Sequence, residues 1–275
     1  MFRREMQRIA LTVRADAVED VLDRLLPVLP AGVHPAEAGE GATELAAYGA
    51  ALPPLAELEA LAGAALLGSD EQEAPDDPRE RRRRFGRTWE VAGRLVVRPP
   101  DAPPGRSGLP ELIVDSPAGA FGTGAHPTTR MCLELLLDLE PGGGFADLGC
   151  GAGVLAIAAA RLGWSPVFAV DHEPRSVEAT ARNAERNGVA LEALRLDLLA
   201  VPPPPAPTLA ANVPAAIHAR IAAGLAPAVV HVIVSGVTGS QLDEVLAAYA
   251  GAGLEPLDRR GGAGWRAVLL ERSRA

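Results

Sequence analysis

A glycine-rich segment, Asp147–Gly153, is the part of the sequence best suited to hold a small ligand. It follows a predicted strand over Phe145–Leu148 and precedes a predicted helix over Val154–Leu162. Glycine is needed where a ligand approaches the backbone closely or where φ is positive, and amides at a helix N-terminus favour an anionic group. Asp171 ends the next predicted strand, 18 residues after Gly153. A carboxylate there can accept hydrogen bonds from both ribose hydroxyls of a nucleotide.

The spacing of the glycines bears on which nucleotide the loop would hold. A nicotinamide dinucleotide site has the fingerprint G-x-G-x-x-G, whereas Gly149, Gly151 and Gly153 follow the pattern G-x-G-x-G and Val154 occupies the expected third slot. This spacing fits S-adenosylmethionine better, since no pyrophosphate needs a cradle. A nucleotide-binding oxidoreductase and a plain βα turn remain alternatives.

A second polar position, Asn212, follows a predicted fourth strand over Pro207–Ala211. Ligands of open α/β sheets bind at the carboxyl ends of the strands, so Asn212 is a candidate ligand contact. It is equally suited to be the N-cap of the next predicted helix, which includes Ile217 and Ile221.

A long loop of small residues, Asp115–Thr129, leads into a predicted helix over Thr128–Leu139. Loops of this kind can fold over a ligand. The alternative interpretation makes Thr128 an N-cap and His126 an ordinary polar loop residue.

The elements that position these residues alternate between strand and helix from Glu90 onward. Such alternation predicts a mostly parallel, doubly wound α/β sheet covered on both faces. Besides the elements above, the predicted strands are Arg94–Arg98, Leu112–Val114, Val167–Val170, Leu191–Leu196, Val229–Ser235 and Trp265–Glu271, and the predicted helices are Arg175–Asn187 and Gln241–Ala250.

The first part of the chain is predicted to be a small α+β domain of order β-α-β-β-α. Its predicted strands include Met6–Val13 and Thr43–Ala50, and its predicted helices are Ala17–Leu29 and Pro54–Leu67.

A charge-rich segment, Ser69–Arg87, follows this part and is acidic at its start and basic at its end. It is interpreted as a solvated linker or a short linker helix, whose charges would suit the helix dipole; a basic patch for nucleic acid is the alternative. The predicted organisation is a substrate-recognition domain over 1–75, a linker over 76–89 and a cofactor-binding domain over 90–275.

Composition limits the remaining function classes. The chain has 275 residues, a net charge of −9 and no lysine. An acidic balance argues against direct nucleic-acid binding, and no apolar run reaches the length of a membrane span. Two cysteines cannot form a disulfide framework or a multi-cysteine zinc site, so no metal is expected and a cytoplasmic location is the default. The oligomeric state cannot be read from the sequence.

The motifs together resemble the ribosomal protein L11 methyltransferase family, which consists of class I S-adenosylmethionine-dependent protein lysine methyltransferases. The glycine loop is generic to class I methyltransferases, and the Phe-Gly-Thr-Gly-x-His-Pro-Thr-Thr pattern is more specific. The segments that carry the resemblance are Ala120–Thr129, Asp147–Ala158, Val170–Pro174, Asn183–Gly188, Ala211-Asn212, Ser235-Gly236 and Trp265.

The resemblance implies a Rossmann-like catalytic domain, S-adenosylmethionine as cofactor and a ribosomal protein as substrate. It places cofactor contacts at four residues and neighbours of the cofactor at two more. We further predict that Asn212 helps to orient the nucleophile or the methionine end of the cofactor. The four contacts are Thr129, Gly149, Asp171 and Asn212, and the two neighbours are Gly151 and Phe121.

Departures from the family pattern leave other substrates open. The fourth strand follows a proline run, His172 replaces a common aliphatic residue, and the first domain lacks a tryptophan-rich pattern. Ala215 stands where enzymes acting on planar amino groups often carry an aromatic residue, which favours a flexible aliphatic amine. Another protein lysine, a small amine, and a non-catalytic cofactor-binding module are the alternatives.

Overall fold

A computed structural model describes residues 6–29, 32–73, 88–105, 108–115 and 126–273. The chain divides into two compact units, Met1–Gly86 with Gly262–Gly264, and Arg87–Gly261 with Trp265–Ala275. The predicted linker over 76–89 lies outside the described residues except at its last two positions, so the predicted domain boundaries stay predictions.

The helices and strands are numbered here in chain order. The helices are α1 (Val18–Leu25), α2 (Leu55–Ala62), α3 (Pro127–Leu137), α4 (Val154–Leu162), α5 (Pro174–Asn187), α6 (Ala215–Ala223) and α7 (Gly239–Gly251). The strands are β1 (Gln7–Arg14), β2 (His34–Glu37), β3 (Ala42–Gly49), β4 (Leu66–Glu73), β5 (Trp89–Val91), β6 (Leu95–Arg98), β7 (Glu111–Ile113), β8 (Phe145–Leu148), β9 (Val167–Asp171), β10 (Glu192–Arg195), β11 (Thr208–Asn212), β12 (His231–Thr238), β13 (Leu254–Gly262) and β14 (Trp265–Arg272).

The first unit is a four-stranded antiparallel sheet of order β2-β3-β1-β4 with α1 and α2. Apolar residues of α1 at helical spacing are buried, namely Val18, Val21, Leu22 and Leu25. In the middle strand, the Arg8 guanidinium pairs with the carboxylates of Glu44 on β3 and Asp70 on β4.

Two expectations for this unit are wrong. The helix predicted over Pro54–Leu67 ends at Ala62, because Gly63 takes φ +56° and starts a short 3-10 turn. The solvated linker predicted from Ser69 onward is wrong over Ser69–Glu73, because these residues belong to β4 and pair with β1. Strand β4 is the last in the sheet order, and an exposed edge strand can carry polar side chains on both faces.

The second unit contains a seven-stranded sheet of order β10-β9-β8-β11-β12-β14-β13 and a three-stranded sheet of order β5-β6-β7. The strands from β10 to β12 pair in parallel, and β14 is antiparallel to β12. The predicted doubly wound α/β class is confirmed. Strand β13 is absent from the sequence-based prediction, because its exposed residues Glu255–Leu257 lack a buried alternating face.

A continuous apolar core lies between the parallel strands and the last two helices. It includes Leu148, Val170, Ala211, Val234, Ile221, Val245 and the fully buried Tyr249. Within the part of the chain that the structure describes, no helix has the length and apolar character needed to span a membrane.

Candidate functional site

The register of the parallel strands brings three predicted site residues to one level of the sheet. Leu148 on β8, the middle one of the five parallel strands, is aligned with Val170 on β9 and with Ala211 on β11. The residues that follow are Gly149, Asp171 and Asn212, so all three lie at the carboxyl edge. The order of the strands in the sheet also reverses here, because β9 and β11 flank β8 on opposite sides. Such a switch point is where open α/β sheets bind ligands.

Most backbone amides of the glycine loop already donate hydrogen bonds within the protein. The amides of Gly149 and Cys150 both donate to the carbonyl of Val170, at 2.8 and 3.0 Å, and the Gly153 amide donates to the Cys150 carbonyl at 2.8 Å. The Gly151 amide donates to Asp171 Oδ2 at 3.0 Å. A loop whose amides are bonded in this way is poorly suited to cradle a pyrophosphate, which favours a cofactor without one.

Two of the loop glycines are required for steric reasons. Gly149 has φ +74°, and a Cβ there would lie 2.5 Å from Val213 Cγ1. Gly153 has φ +82°, and a Cβ would lie 2.7 Å from Thr180 Cγ2. The glycine at position 153 therefore lets the start of α4 approach α5.

The Asp171 carboxylate is held by the backbone on both sides. Its Oδ2 accepts from the Gly151 amide, and its Oδ1 accepts from the Glu173 amide at 2.9 Å. The side chain is about one-tenth exposed. A carboxylate fixed at the end of β9 in this way is oriented before a ribose arrives, as its predicted role requires.

Asn212 carries an incomplete hydrogen-bonding group at this edge of the sheet. Its Nδ2 donates to Thr129 Oγ1 at 3.4 Å, whereas its buried Oδ1 has no partner among the residues that the structure describes. The structure thus brings Asn212 and Thr129 together. The cap interpretation of Asn212 is wrong, because Pro214 is the N-cap of α6.

The entry of α3 is capped by His126. Its Nδ1 accepts from the Thr128 amide at 3.3 Å and lies 2.7 Å from Thr128 Oγ1, and Pro127 is the first helical residue. The expectation that Thr128 is the cap is therefore wrong. His126 is also not an ordinary polar loop residue, since it is buried and its ring packs edge-on against Trp265 with 5.1 Å between centroids.

Burial is the main cause of the pKa shifts of the titratable groups below this edge. It raises the pKa of Asp147 to about 7, against a hydrogen bond from the Ala156 amide that lowers it and with the charge of Asp171 nearby. Burial also raises the pKa of the thiols of Cys132 and Cys150. Both thiols stay protonated near neutral pH, so neither is suited to act as a thiolate nucleophile. Among the described residues, no group of three or more acidic, histidine or cysteine side chains could hold a metal ion.

Comparison with known proteins gives the family. The family model described as "Ribosomal protein L11 methyltransferase (PrmA)" matches residues 89–273. The chain belongs to the ribosomal protein L11 methyltransferase family. The crystal structure of a ribosomal protein L11 methylase from Lactobacillus delbrueckii subsp. bulgaricus is similar over 68% of this chain and 99% of its own, with 26% identity and a TM-score of 0.58.

Curated ribosomal protein L11 methyltransferases match over shorter stretches. The relative from Bordetella parapertussis is 44% identical over 49% of this chain and 44% of its own length. The relative from Pelotomaculum thermopropionicum is 39% identical over 64% of this chain and 60% of its own length. The chain thus spans about half the length of the curated relatives that it matches.

The family's cofactor fits the residues described here. Gly149, Gly151, Asp171 and Asn212 lie at one edge of the sheet, and the buried Oδ1 of Asn212 has no hydrogen-bond partner within the described part of the chain. Thr129 contacts this group through Asn212. Phe121, the remaining predicted neighbour, lies outside the described residues.

Sequence reasoning missed several residues that support the site. The side-chain amide of Asn183 donates to the carbonyls of Asp115 and Ala152, at 2.8 and 2.9 Å. His218 is fully buried against the backbone that follows Asn212. Asn183 stands out in the sequence only as part of a family pattern, and an isolated histidine within a helix gives no local signal.

Proposed function

We propose that this protein transfers methyl groups from S-adenosylmethionine to lysine or other amino groups of a protein substrate, a large-subunit ribosomal protein. The observation that supports this most directly is the buried Oδ1 of Asn212, which has no hydrogen-bond partner among the described residues. Buried polar atoms are rarely left without a hydrogen bond, so this oxygen calls for an N–H donor. The target amine and the ammonium of the cofactor's methionine end are both such donors.

S-adenosylmethionine supplies, when bound, a sulfonium methyl group for in-line displacement by an amine. The residues that would hold it are Asp171 at the ribose, the backbone around Gly149 and Gly151, and Asn212 with Thr129 at the methionine end. Their shared level at the carboxyl edge of the sheet supports this assignment.

The protein must also provide a neutral amine. With a pKa near 10.4, only about one lysine in two thousand is neutral at pH 7. Desolvation lowers the pKa of an amine, and an amide oxygen such as Asn212 Oδ1 accepts a hydrogen bond from the neutral amine without adding a negative charge that would hold the proton. Orienting the amine toward the methyl group supplies much of the remaining rate.

The proposal is tested by incubating the protein with S-adenosylmethionine carrying a tritiated methyl group and with ribosomes from cells that lack it. The expected result is labelling of one large-subunit protein, with methylated lysine in its acid hydrolysate. Because this chain contains no lysine, any methyl-lysine comes from the substrate. Labelling confined to non-ribosomal proteins would contradict the substrate assignment.

A binding experiment separates the proposed cofactor from the oxidoreductase alternative. Calorimetric titration with S-adenosylhomocysteine should give one site per chain, and titration with NAD should give no comparable heat. Binding of NAD alone would overturn the methyltransferase assignment.

A further inference from the structure

His218, on α6, is a fully buried histidine that makes three polar contacts. Its Nδ1 lies 3.0 Å from the hydroxyl of Tyr249 on α7. Its Nε2 lies 3.2 Å from the carbonyl oxygen of Val213 and 3.0 Å from that of Ser235. Both ring nitrogens therefore have hydrogen-bond partners: Nδ1 has a side-chain hydroxyl on α7, and Nε2 has two backbone carbonyls.

The partners fix the tautomer of the ring. Carbonyl oxygens only accept, so Nε2 carries the proton and donates to both of them. Nδ1 is then an acceptor, and the Tyr249 hydroxyl donates to it. Burial agrees with a neutral ring, because it lowers the pKa of His218 to about 4.

The two carbonyls belong to the backbone around Asn212. Val213 is the next residue in the chain, and Ser235 on β12 is aligned with Asn212 itself. The Val213 amide also donates to the Ser235 carbonyl, at 3.3 Å. His218 thus bridges the carboxyl end of β11 and the residue of β12 that is aligned with Asn212.

Val213 has little freedom on its other sides. A Cβ on Gly149 would lie 2.5 Å from its Cγ1, and a Cβ on Gly236 would lie 2.3 Å from its carbonyl oxygen. Glycines at these two positions bring the backbone into close approach, but they make no directional bond to Val213. The imidazole supplies the bond that sets the direction of this carbonyl.

We propose that His218 is a positioning residue: with Tyr249 it fixes the backbone at Val213 and thereby holds Asn212 Oδ1 toward the cofactor and the target amine. The consequence for ligand binding rests on the proposed function. The consequence for the backbone does not, since it concerns the protein without ligand.

Two substitutions of His218 distinguish the roles of its two ring nitrogens. Glutamine can place an N–H donor near the position of Nε2, so His218→Gln keeps the bonds to the carbonyls and loses the acceptor for Tyr249. Asparagine can place an oxygen near the position of Nδ1, so His218→Asn keeps an acceptor for Tyr249 and loses the bonds to the carbonyls. Val245→Ala, in the same core on α7, serves as a control for a general loss of stability.

The first measurement is amide hydrogen exchange over the segment containing Val213 in ligand-free protein. We expect His218→Gln to keep the protection of the wild type, and His218→Asn to lose about tenfold or more, beyond the change in Val245→Ala. Equal protection in the two His218 variants would overturn the positioning role, whether or not the protein binds the proposed cofactor.

The second measurement is the dissociation constant for S-adenosylhomocysteine. We expect it to stay within about threefold in His218→Gln and to rise about tenfold in His218→Asn. If His218→Asn does not fold, His218→Met replaces it, because methionine keeps a side chain of similar size and makes no hydrogen bond to the two carbonyls, and the expected rise is again about tenfold over Val245→Ala. An unchanged constant would overturn the link to Asn212, whereas absence of binding in the wild type would contradict the proposed function alone.

Discussion

Asn212 is the residue at which we propose that a ligand completes a hydrogen bond. Its side-chain nitrogen donates a hydrogen bond to Thr129. The oxygen of the same side chain is buried and has no hydrogen-bond partner among the described residues. A buried acceptor of this kind costs free energy until a donor arrives. The proposed ligand contact at this oxygen is therefore one with an N–H group.

The role of Asn212 can be measured by replacing it with alanine. Loss of a hydrogen bond to a charged group costs about 1.5–3 kcal/mol, so we expect Asn212→Ala to lower kcat/KM by about tenfold to a hundredfold. A raised dissociation constant for S-adenosylhomocysteine would assign the oxygen to the methionine end of the cofactor, and a lowered kcat alone would assign it to the amine.

The control is Asn212→Asp, which keeps an oxygen at the same place and should bind S-adenosylhomocysteine more tightly than Asn212→Ala. Unchanged binding and turnover in Asn212→Ala would exclude both roles.

Gly149 tests whether the close approach of the loop to the next strand is required. An alanine there combines φ +74° with a Cβ 2.5 Å from Val213 Cγ1. Gly188 is a matched control, because it has φ +62° but a Cβ would meet nothing within 4 Å. We expect Gly188→Ala to lower the free energy of unfolding by about 1–2 kcal/mol and to leave S-adenosylhomocysteine binding unchanged.

Gly149→Ala should lower that free energy further and weaken binding at least about tenfold, which corresponds to about 1.4 kcal/mol. Denaturant unfolding and calorimetry on the two variants provide the comparison. Equal effects of the two substitutions would mean that backbone strain alone matters at Gly149.

At the scale of elements, prediction succeeded where glycine and buried apolar runs mark boundaries. The predicted bounds of β8 and α4 agree with the structure, since a left-handed glycine precedes α4 and another follows it. Strands β4 and β13 were missed because their exposed polar side chains resemble those of loops. The sheet edge with Asp171 and Asn212 could be found from order alone, whereas the support from His218 depends on contacts far apart in the sequence.

The layer under the sheet edge contains two buried titratable groups, His218 and Asp147. Their contributions to the free energy of unfolding change with pH in opposite directions. His218 has its pKa lowered to about 4, so it stabilises the fold above pH 6.5, and this contribution is lost as pH falls toward 4. Asp147 has its pKa raised to about 7, so its contribution is present below about pH 4 and is lost as pH rises to 7. At 1.36 kcal/mol per unit, these contributions are about 3 and about 4 kcal/mol.

We therefore expect the two contributions to offset each other in the wild type between pH 4 and 7. His218→Gln should show a free energy of unfolding that falls with pH relative to the wild type, and Asp147→Asn should show one that rises. Denaturant unfolding at half-unit steps of pH measures both differences. Parallel curves for the wild type and the two variants would contradict the offset.

At the scale of the whole molecule, charge bears on the choice of partner. The chain has a net charge of −9, and all 26 of its basic residues are arginine. Like charge on an RNA backbone would oppose binding, whereas a lysine-rich protein would be attracted. The acidic balance therefore agrees with a basic protein substrate that is recognised through its own side chains.

This attraction predicts that substrate binding depends on salt while cofactor binding does not. The Debye length falls from about 10 Å at 0.1 M to about 3 Å at 1 M ionic strength, so we expect KM for the proposed ribosomal substrate to rise about fivefold to tenfold over that range. S-adenosylhomocysteine has little net charge and would be held by hydrogen bonds at short range, so its dissociation constant should change less than about twofold. Steady-state rates with purified substrate and calorimetry at each salt concentration give the two curves. Equal salt dependence of both constants would point to a general effect of salt on the fold, and a KM independent of salt would show that charge does not guide the substrate.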